Sequence, residues 1–280
     1  MRSIEVTKII EAVKALCMQA NYDLPVDIFN EIQAGKSKEI SPVGKAILGD
    51  ICDNAKLAHD EKMPICQDTG TAVVFVKIGQ EVHIEGGLLK DAINEGVRQG
   101  YIEGYLRKSI VENPLYRKNT GDNTPAIIHY DIVEGDQLEI MVCPKGGGSE
   151  NMSRVYMLKP SQGIEGVKAA VMETVELAGP NACLPMVVGI GIGGNFEMST
   201  LLAKKALTRE VGSYNSDERM RELEKELFEM INKTGIGPQG LGGKVTALAV
   251  HIEDYPCHIA SMPLAINIGC HVNRHKSVRL

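Results

Sequence analysis

The sequence predicts a mixed α/β (α+β) fold: one domain over residues 1–280 with two lobes, in which mixed and antiparallel sheets are flanked by helices. Apolar residues recur at helical spacing in several long stretches, and short apolar runs bounded by glycine or proline lie between them. Some of these runs come in hairpin-like pairs, and others alternate with helices. No internal repeat and no linker of disordered composition interrupts the order, so a single domain is the economical interpretation.

Helices are predicted where the apolar residues repeat with a period near 3.6. An amphipathic helix opens the chain from about Ile4, and a short helix follows Pro25. Ser41 followed by Pro42 is a typical helix start, because a serine caps free N–H groups and proline fits the first turn. Further helices are predicted over residues 86–97, 163–178, 196–207 and 216–232.

Strands are predicted from short apolar runs rich in β-branched residues. The strand at 82–84 is expected to pair back onto the strand at 72–76. The strands at 127–133 and 138–142 are expected to pair around the turn Glu134-Gly135-Asp136. Later strands are predicted over residues 186–192 and 245–252, with a broken apolar run at 259–268.

The charge distribution argues against a nucleic-acid partner. Thirty basic and 36 acidic residues give a net charge of −6, and no long basic stripe with interleaved aromatic residues is present. A small basic cluster lies near the end of the sequence, and we interpret it as a tail or a subunit contact. Its members are Arg274, His275, Lys276 and Arg279.

Several features predict a cytoplasmic protein without membrane contact. The first twenty residues carry charges at helical spacing and do not resemble a signal peptide. Two uncharged stretches, 177–196 and 255–273, are interrupted by proline and glycine and would not span a bilayer comfortably. The seven cysteines have no regular framework, so we interpret them as thiols or metal ligands and not as disulfides.

The most unusual stretch is Cys66-Gln67-Asp68-Thr69-Gly70, which leads directly into the strand at 72–76. A thiol, an amide and a carboxylate packed at a strand entrance cost stability unless each has a partner. The stretch is therefore either a turn with an incidental, inert cysteine or a functional site.

Three of the cysteines share a local context. Cys66, Cys183 and Cys270 each lie in a loop beside glycine or proline at the edge of an apolar strand. Their sequence separations are too long for a zinc finger or a ferredoxin pattern. Three thiolates from distant loops would suit an iron–sulfur cluster with one iron left open, which acts as a Lewis acid. A zinc site that uses the Cys-His pairs at 257–258 and 270–271 is a weaker alternative, because adjacent strand residues point to opposite faces.

The remaining cysteines have simpler explanations. Cys17 and Cys52 lie on helix faces, Cys143 ends a strand, and Cys257 precedes a histidine. Buried cysteine commonly behaves as a small apolar residue.

Arg107 allows two interpretations. It is either a charge near a helix end or a carboxylate clamp, since a guanidinium can donate two parallel hydrogen bonds to a carboxylate. The glycine-rich run after Lys145 is either a flexible connector or a backbone that turns N–H groups toward an anion. Gly189, Gly191 and Gly194 match a dinucleotide fingerprint, but the helix that follows is succeeded by another helix, so the βαβ unit is expected to be incomplete.

Four motifs occur in order along the chain. They are Cys66-Gln67-Asp68-Thr69-Gly70, Lys145-Gly146-Gly147-Gly148-Ser149-Glu150-Asn151, Asn181-Ala182-Cys183-Leu184-Pro185 and Gly189-Ile190-Gly191-Ile192-Gly193-Gly194. Together they resemble the α subunit of class I, iron–sulfur-dependent fumarate hydratase, a family shared with L(+)-tartrate dehydratase. The resemblance covers essentially the whole chain.

The resemblance implies a hydro-lyase that reversibly hydrates fumarate to L-malate, with a [4Fe–4S] cluster on Cys66, Cys183 and Cys270. It also implies a separate β subunit, in an α2β2 assembly, because the segment that carries the family's catalytic base has no counterpart here. The residues that it places at the dicarboxylate are Gln67, Asp68, Arg107, Gly147 and Gly148, with His258 near the site.

Two other functions remain open at this point. The same chemistry would serve the α subunit of a tartrate or other hydroxydiacid dehydratase, since nothing in the sequence measures a difference of one hydroxyl group in the substrate. A non-catalytic, thiol-rich metal-binding scaffold is the alternative from another class.

Overall fold

The structure is a computed structural model that describes residues 2–280. The α-helices of that part of the chain are α1 (Val6–Tyr22), α2 (Val26–Lys38), α3 (Pro42–Glu61), α4 (Leu89–Glu103), α5 (Gly147–Glu150), α6 (Gly163–Ala178), α7 (Phe196–Ala206) and α8 (Glu218–Lys233). Its strands are β1 (Arg2–Glu5), β2 (Thr71–Gly79), β3 (Val82–Glu85), β4 (Ile127–Val133), β5 (Leu138–Lys145), β6 (Arg154–Leu158), β7 (Met186–Gly193), β8 (Ala247–Tyr255), β9 (Met262–Gly269) and β10 (Lys276–Arg279).

The chain divides into two compact units. Of the described residues, unit 1 comprises 2–24, 54–147 and 274–280, and unit 2 comprises Pro25–Asp53 and Gly148–Asn273. The predicted mixed α/β class, with mixed and antiparallel sheets flanked by helices, is confirmed. The predicted domain extent, residues 1–280, stays a prediction.

Unit 1 is built on a four-stranded sheet in the order β10-β5-β2-β4. β2 pairs in parallel with β4 and antiparallel with β5, and β10 pairs antiparallel with β5. The inward residues of this sheet form one apolar core with α1 and α4. Buried and partly buried residues alternate over residues 138–142 of β5, as the two-residue period of a strand predicts.

Two pairing predictions in unit 1 are wrong. β4 and β5 do not pair with each other, because β2 lies between them and bonds to both. β3 does not pair back onto β2 but joins β1 in a parallel, two-stranded sheet. That pairing holds residues 2–5 in extended form, so α1 begins at Val6 and not at Ile4.

Unit 2 is built on a sheet in the order β6-β9-β7-β8, with helices on both faces. β7 pairs antiparallel with β9 and in parallel with β8. One face of the sheet shares an apolar core with α6 and α8. The helix α7 packs against the other face, where Gly189 and Gly191 remove the side chains that would keep it away.

The expectation of an incomplete βαβ unit is wrong, because β8 returns parallel to β7 after α7 and α8. The glycines nevertheless have a packing explanation. A Cβ on Gly191 would lie 2.0 Å from the carbonyl oxygen of Ser199, and one on Gly189 would lie 2.3 Å from that of Ala203. The glycine spacing therefore permits close contact between helix and strand.

No helix within residues 2–280 combines the length and apolar character that a bilayer crossing requires.

We expect Gly191→Ala to destabilise the protein by about 1–3 kcal/mol, because the added methyl group must displace the backbone of α7. Gly87→Ala is the matched control, since a Cβ there would lie 3.7 Å from Val6, an ordinary contact. Urea unfolding of both variants measures the difference, and an equal midpoint for the two would contradict the packing explanation.

Candidate functional site

Hydrogen bonds within unit 1 fix the backbone immediately before the loop at residues 66–70. Ile65 is buried, its N–H donates to the carbonyl of Asn21 at 2.9 Å, and its own carbonyl accepts from the side chain of Asn54 at 2.9 Å. Cys66 follows at once and is partly exposed. Its sulfur lies 3.4 Å from the backbone nitrogen of Asp68 and 3.4 Å from Oε1 of Gln67. The thiol is thus held at the surface by a backbone anchored in the core.

Asp68 fastens this loop to the end of β5. Its Oδ1 accepts the N–H of Gly70 at 2.9 Å, and its Oδ2 accepts the N–H of Gly147 at 2.7 Å. Charge-assisted hydrogen bonds of this kind are stronger than neutral ones. The Gly147 N–H, which could have faced an anion, is therefore already bound by a carboxylate.

The backbone at Gly70 has no room for a side chain. Its φ is +73°, and a Cβ there would lie 2.6 Å from the backbone carbon of Lys145. Only glycine meets both conditions without strain. Position 70, between Thr69 and the start of β2, therefore requires glycine.

Arg274 is a functional candidate that the sequence interpretation missed. Its side chain is buried, and Nη2 donates to the carbonyl oxygen of Asp68 at 2.6 Å. The next residues form β10, which pairs with β5. For Arg274 the interpretation as a tail is therefore wrong, whereas the alternative, a subunit contact, stays a prediction. No local signal separates this arginine from Arg279.

A second layer of side chains holds the same loop from the core side. The hydroxyl of Tyr101 lies 2.8 Å from the carbonyl oxygen of Thr69 and 3.1 Å from that of Gly70. Burial raises the pKa of Tyr101 far above its ordinary value, so the group is a neutral donor. Asn123 also donates to the Gly70 carbonyl, at 3.1 Å.

Arg107 is tied to the loop through its backbone, since Thr69 Oγ1 donates to the Arg107 carbonyl at 3.0 Å. Its side chain is exposed, and within residues 2–280 its guanidinium makes no hydrogen bond or ion pair. A fixed backbone with an unengaged guanidinium can bind a carboxylate without first breaking an internal bond. The Thr69 hydrogen bond thus joins the backbone of Arg107 to the loop that carries Gln67 and Asp68 within unit 1.

Cys183 and Cys270 lie at the same end of the two central strands, β7 and β9, of the sheet in unit 2. Cys183 precedes β7, Cys270 follows β9, and the antiparallel register places Val187 opposite Gly269. The backbone N–H of His271 donates to the Cys183 carbonyl at 3.1 Å. Its Nδ1 lies 2.8 Å from the same oxygen. The two cysteine loops are therefore bonded to each other.

His258 lies at the opposite end of these strands. It is exposed in the turn between β8 and β9, beyond the point where Ile192 pairs with Leu264. Five residues separate this pair from the Val187 and Gly269 pair, which corresponds to roughly 17 Å along a strand. Within unit 2 the structure does not bring His258 to Cys183 and Cys270.

The other cysteines differ in burial or position. Cys17, Cys52 and Cys143 are buried, and Cys257 is exposed in the same turn as His258. Burial raises the pKa of Cys17 to about 12, so it is not available as a thiolate near neutral pH. None of the seven cysteines forms a disulfide.

Two cavities lie away from the predicted residues. One, of about 540 Å³, is lined in unit 1 by α1 and α4, and another, of about 400 Å³, lies beside β8 in unit 2. No predicted site residue lines either cavity. Among the described residues, no group of three or more His, Cys, Asp or Glu side chains is arranged to hold a metal ion.

Comparison with known proteins gives a consistent result. The family profile described as "Fumarate hydratase (Fumerase)" matches residues 10–279. A protein of Methanocaldococcus jannaschii named "Putative L(+)-tartrate dehydratase subunit alpha" is 44% identical over 98% of both chains. The "L(+)-tartrate dehydratase subunit alpha" of Escherichia coli (strain UTI89 / UPEC) is 34% identical over 98% of this chain and 91% of its own. That of strain K12 is 35% identical over 96% of this chain and 89% of its own.

We expect Asp68→Asn to loosen the loop at residues 66–70. An amide offers one acceptor and one donor, so either Gly70 or Gly147 loses its acceptor, at a cost of about 1–3 kcal/mol. Urea unfolding and hydrogen exchange at the two glycine amides measure the effect. Glu134→Gln, a change of the same kind on an exposed turn, is the control, and equal protection in both variants would contradict the role given to Asp68.

Proposed function

Because the chain belongs to the fumarate hydratase (Fumerase) family, we propose that it is the cluster-bearing α subunit of a hydro-lyase that adds water reversibly to the double bond of fumarate to give L-malate. The observation that carries the proposal is the match over residues 10–279, together with relatives named as α subunits over nearly their full length. The coarser conclusion, a hydro-lyase α subunit, does not depend on which hydroxydiacid is the substrate.

A tartrate dehydratase α subunit is the second candidate, because the relatives at 34–44% identity carry that name. Both reactions add or remove water at a four-carbon diacid. Arg107 would bind a carboxylate of either substrate. The described residues do not distinguish a diacid with one hydroxyl group from a diacid with two.

We propose that Cys66, Cys183 and Cys270 hold a [4Fe–4S] cluster. The donor chemistry fits, because all three thiols reach the surface, none is in a disulfide, and soft thiolate ligands suit iron–sulfur clusters. The bonded loops of Cys183 and Cys270 support their joint use. When bound with one iron left open, such a cluster supplies a Lewis acid.

The residues of this chain would bind and orient the diacid. Arg107 would donate two parallel hydrogen bonds to one carboxylate, and Gln67, exposed beside Cys66, offers an amide to the substrate. Asp68 keeps lone pairs beyond those used by Gly70 and Gly147, so it can still accept a hydrogen bond from a hydroxyl group. Holding the reactants in this way lowers the entropic part of the barrier.

The other predicted contacts are more restricted. Gly147 already donates its N–H to Asp68, so a carboxylate there would compete with that bond. The roles predicted for Gly148 and His258 stay predictions, and within one chain His258 lies across the sheet from two of the cysteines.

We propose that a separate β subunit completes the enzyme and supplies the base, in an α2β2 assembly. The relatives named "subunit alpha" support a second kind of chain. The cytoplasmic location predicted from the sequence stays a prediction.

The substrate is decided by assay of the anaerobically purified complex with its β subunit against fumarate, L-malate and L-tartrate. We expect turnover of fumarate and L-malate. Turnover of L-tartrate without L-malate would replace the first candidate by the second, and a pure protein without iron or sulfide would favour the thiol-rich scaffold.

For the cluster, we expect Cys66→Ser, Cys183→Ser and Cys270→Ser each to lose iron and sulfide, because a serine hydroxyl is a poor ligand for a soft site. Cys17→Ser and Cys52→Ser are the controls, as both side chains are buried in helices. Iron and sulfide content after anaerobic purification is the measurement. A complete cluster in any of the first three variants would refute the ligand assignment.

For the carboxylate clamp, we expect Arg107→Ala to lower kcat/KM roughly 10- to 100-fold with an unchanged cluster absorption spectrum. Arg107→Lys keeps the charge without the planar fork, so it should recover only part of the activity. Lys108→Ala removes a neighbouring charge and is the control. Equal kinetics for Arg107→Ala and wild type would mean that Arg107 is an ordinary surface charge and does not bind the substrate carboxylate.

A further inference from the structure

The strand β8 forms one edge of the four-stranded sheet in unit 2, and the cavity of about 400 Å³ lies along it. Residues 248–251 of the strand form one wall. The other walls come from α2, from α8 and from the loop at residues 211–214. This volume falls within the range of about 300–1,000 Å³ that is usual for small-molecule sites.

The backbone of β8 directs alternate residues away from β7. On the β7 side, the Tyr255 carbonyl accepts the N–H of Gly194 at 3.2 Å. On the outer side, Ile252 donates its N–H to the carboxylate of Glu224 at 2.8 Å. Successive residues of a strand direct their N–H and C=O groups to opposite sides, so Val250 faces outward as Ile252 does.

Side chains of unit 2 occupy the outward backbone groups on both sides of Val250. The Ile252 carbonyl accepts from Asn215 Nδ2 at 2.8 Å, and the Ala247 N–H donates to Asn232 Oδ1 at 3.0 Å. Within residues 2–280 no element bonds to the outward N–H and C=O of Val250, which lines the cavity. The open edge between these side chains is too short for an added strand, so a small molecule fits it better than a peptide.

Two residues of the cavity wall carry a buried polar atom that has no hydrogen-bond partner within residues 2–280. These atoms are Ser213 Oγ and His251 Nε2. Burial lowers the pKa of His251 to about 4, so its ring is neutral near pH 7. Its Nδ1 lies 3.2 Å from the carbonyl oxygen of Ala206, and a neutral ring that donates there keeps Nε2 as an acceptor. Because buried polar atoms are normally hydrogen-bonded, these groups favour a ligand with hydroxyl or N–H groups.

The charged side chains of the cavity wall are paired within unit 2. The pairs are Glu224 with Arg209 at 2.7 Å, Lys225 with Glu222 at 2.8 Å, Lys38 with Glu31 at 3.2 Å and Glu229 with Lys233 at 3.5 Å. The wall itself carries three carboxylates and two ammonium groups, so it has no excess of positive charge to attract a phosphate. We therefore expect an uncharged ligand.

Aromatic side chains supply the remaining feature of the wall. Tyr214 and Phe228 both line the cavity, and Tyr214 is 59% exposed. An aromatic ring offers a flat face on which a planar heterocycle stacks favourably. The cavity thus combines a flat apolar surface with a backbone donor beside a backbone acceptor.

We propose that this cavity binds an uncharged nucleoside through the edge of its base. Adenine carries the N6–H donor beside the N1 acceptor, which matches the outward C=O and N–H of Val250. The base stacks on Tyr214, and Ser213 and His251 are left for the hydroxyl groups of the sugar. Uracil also presents a donor beside an acceptor, so the shared chemistry is a planar base with such an edge.

The inference does not depend on the proposed function, and isothermal titration calorimetry of the full-length chain with adenosine tests it. We expect saturable binding of adenosine and weaker binding of AMP, because the wall has no excess of positive charge. 1-Deazaadenosine lacks the N1 acceptor, and N6,N6-dimethyladenosine lacks the N6–H donor. Each should bind roughly tenfold or more weakly, because a backbone group of Val250 loses its partner. 7-Deazaadenosine keeps the same edge and is the matched control.

One pair of variants locates the site on the protein. Tyr214→Ala removes the stacking face and should raise the Kd for adenosine roughly tenfold or more. Tyr255→Ala changes a tyrosine of similar exposure, 53%, that does not line the cavity, and it should leave the Kd unchanged. Far-ultraviolet circular dichroism checks that both variants are folded.

Four outcomes would overturn the proposal. They are an absence of binding of both adenosine and uridine at millimolar concentration, an adenosine Kd that a folded Tyr214→Ala variant leaves unchanged, equal binding of adenosine and its two edge-modified analogues, and tighter binding of AMP than of adenosine.

Discussion

The carboxylate of Asp68 is the constraint on which the candidate site depends. It binds the N–H groups of Gly70 and Gly147, and Arg274 binds the Asp68 carbonyl from a buried position. A surface loop such as this one would otherwise be mobile, because loops have few internal hydrogen bonds. Here a carboxylate and a guanidinium fix the loop at the end of β5, and the Cys66 thiol is thereby presented from a rigid backbone.

Glycine serves close packing at two places that are easily mistaken for ligand-binding motifs. At Gly70 the absence of a side chain lets the loop touch the backbone of Lys145. At Gly189 and Gly191 it lets α7 approach the sheet. The same spacing occurs in nucleotide-binding turns, since both need backbone atoms to come close to something. What approaches the glycines in this chain is its own backbone.

The seven cysteines are sorted by two physical criteria. Burial without a polar partner raises the pKa of a thiol, as at Cys17, and leaves it inert. Sheet topology separates Cys183 and Cys270 from Cys257. Because β7 and β9 run in opposite directions, Cys183 and Cys270 lie at one end of these strands, and Cys257 lies in the turn at the other end. Burial and sheet topology thus separate Cys183 and Cys270 from Cys17 and Cys257, and the assignment of Cys66, Cys183 and Cys270 as cluster ligands stays a prediction.

The sequence by itself determined the helices other than the short α5, most strands and the loop positions of Cys66, Cys183 and Cys270, because these follow from local periodicity and turn residues. The helix predicted at 163–178 is α6, with the same bounds. Only the tertiary structure decided that β2 lies between β4 and β5, that Arg274 is buried under the loop at residues 66–70, and that His258 lies across the sheet from two cysteines. Strand partners and burial depend on contacts between residues far apart in the chain, and local patterns carry no record of those contacts.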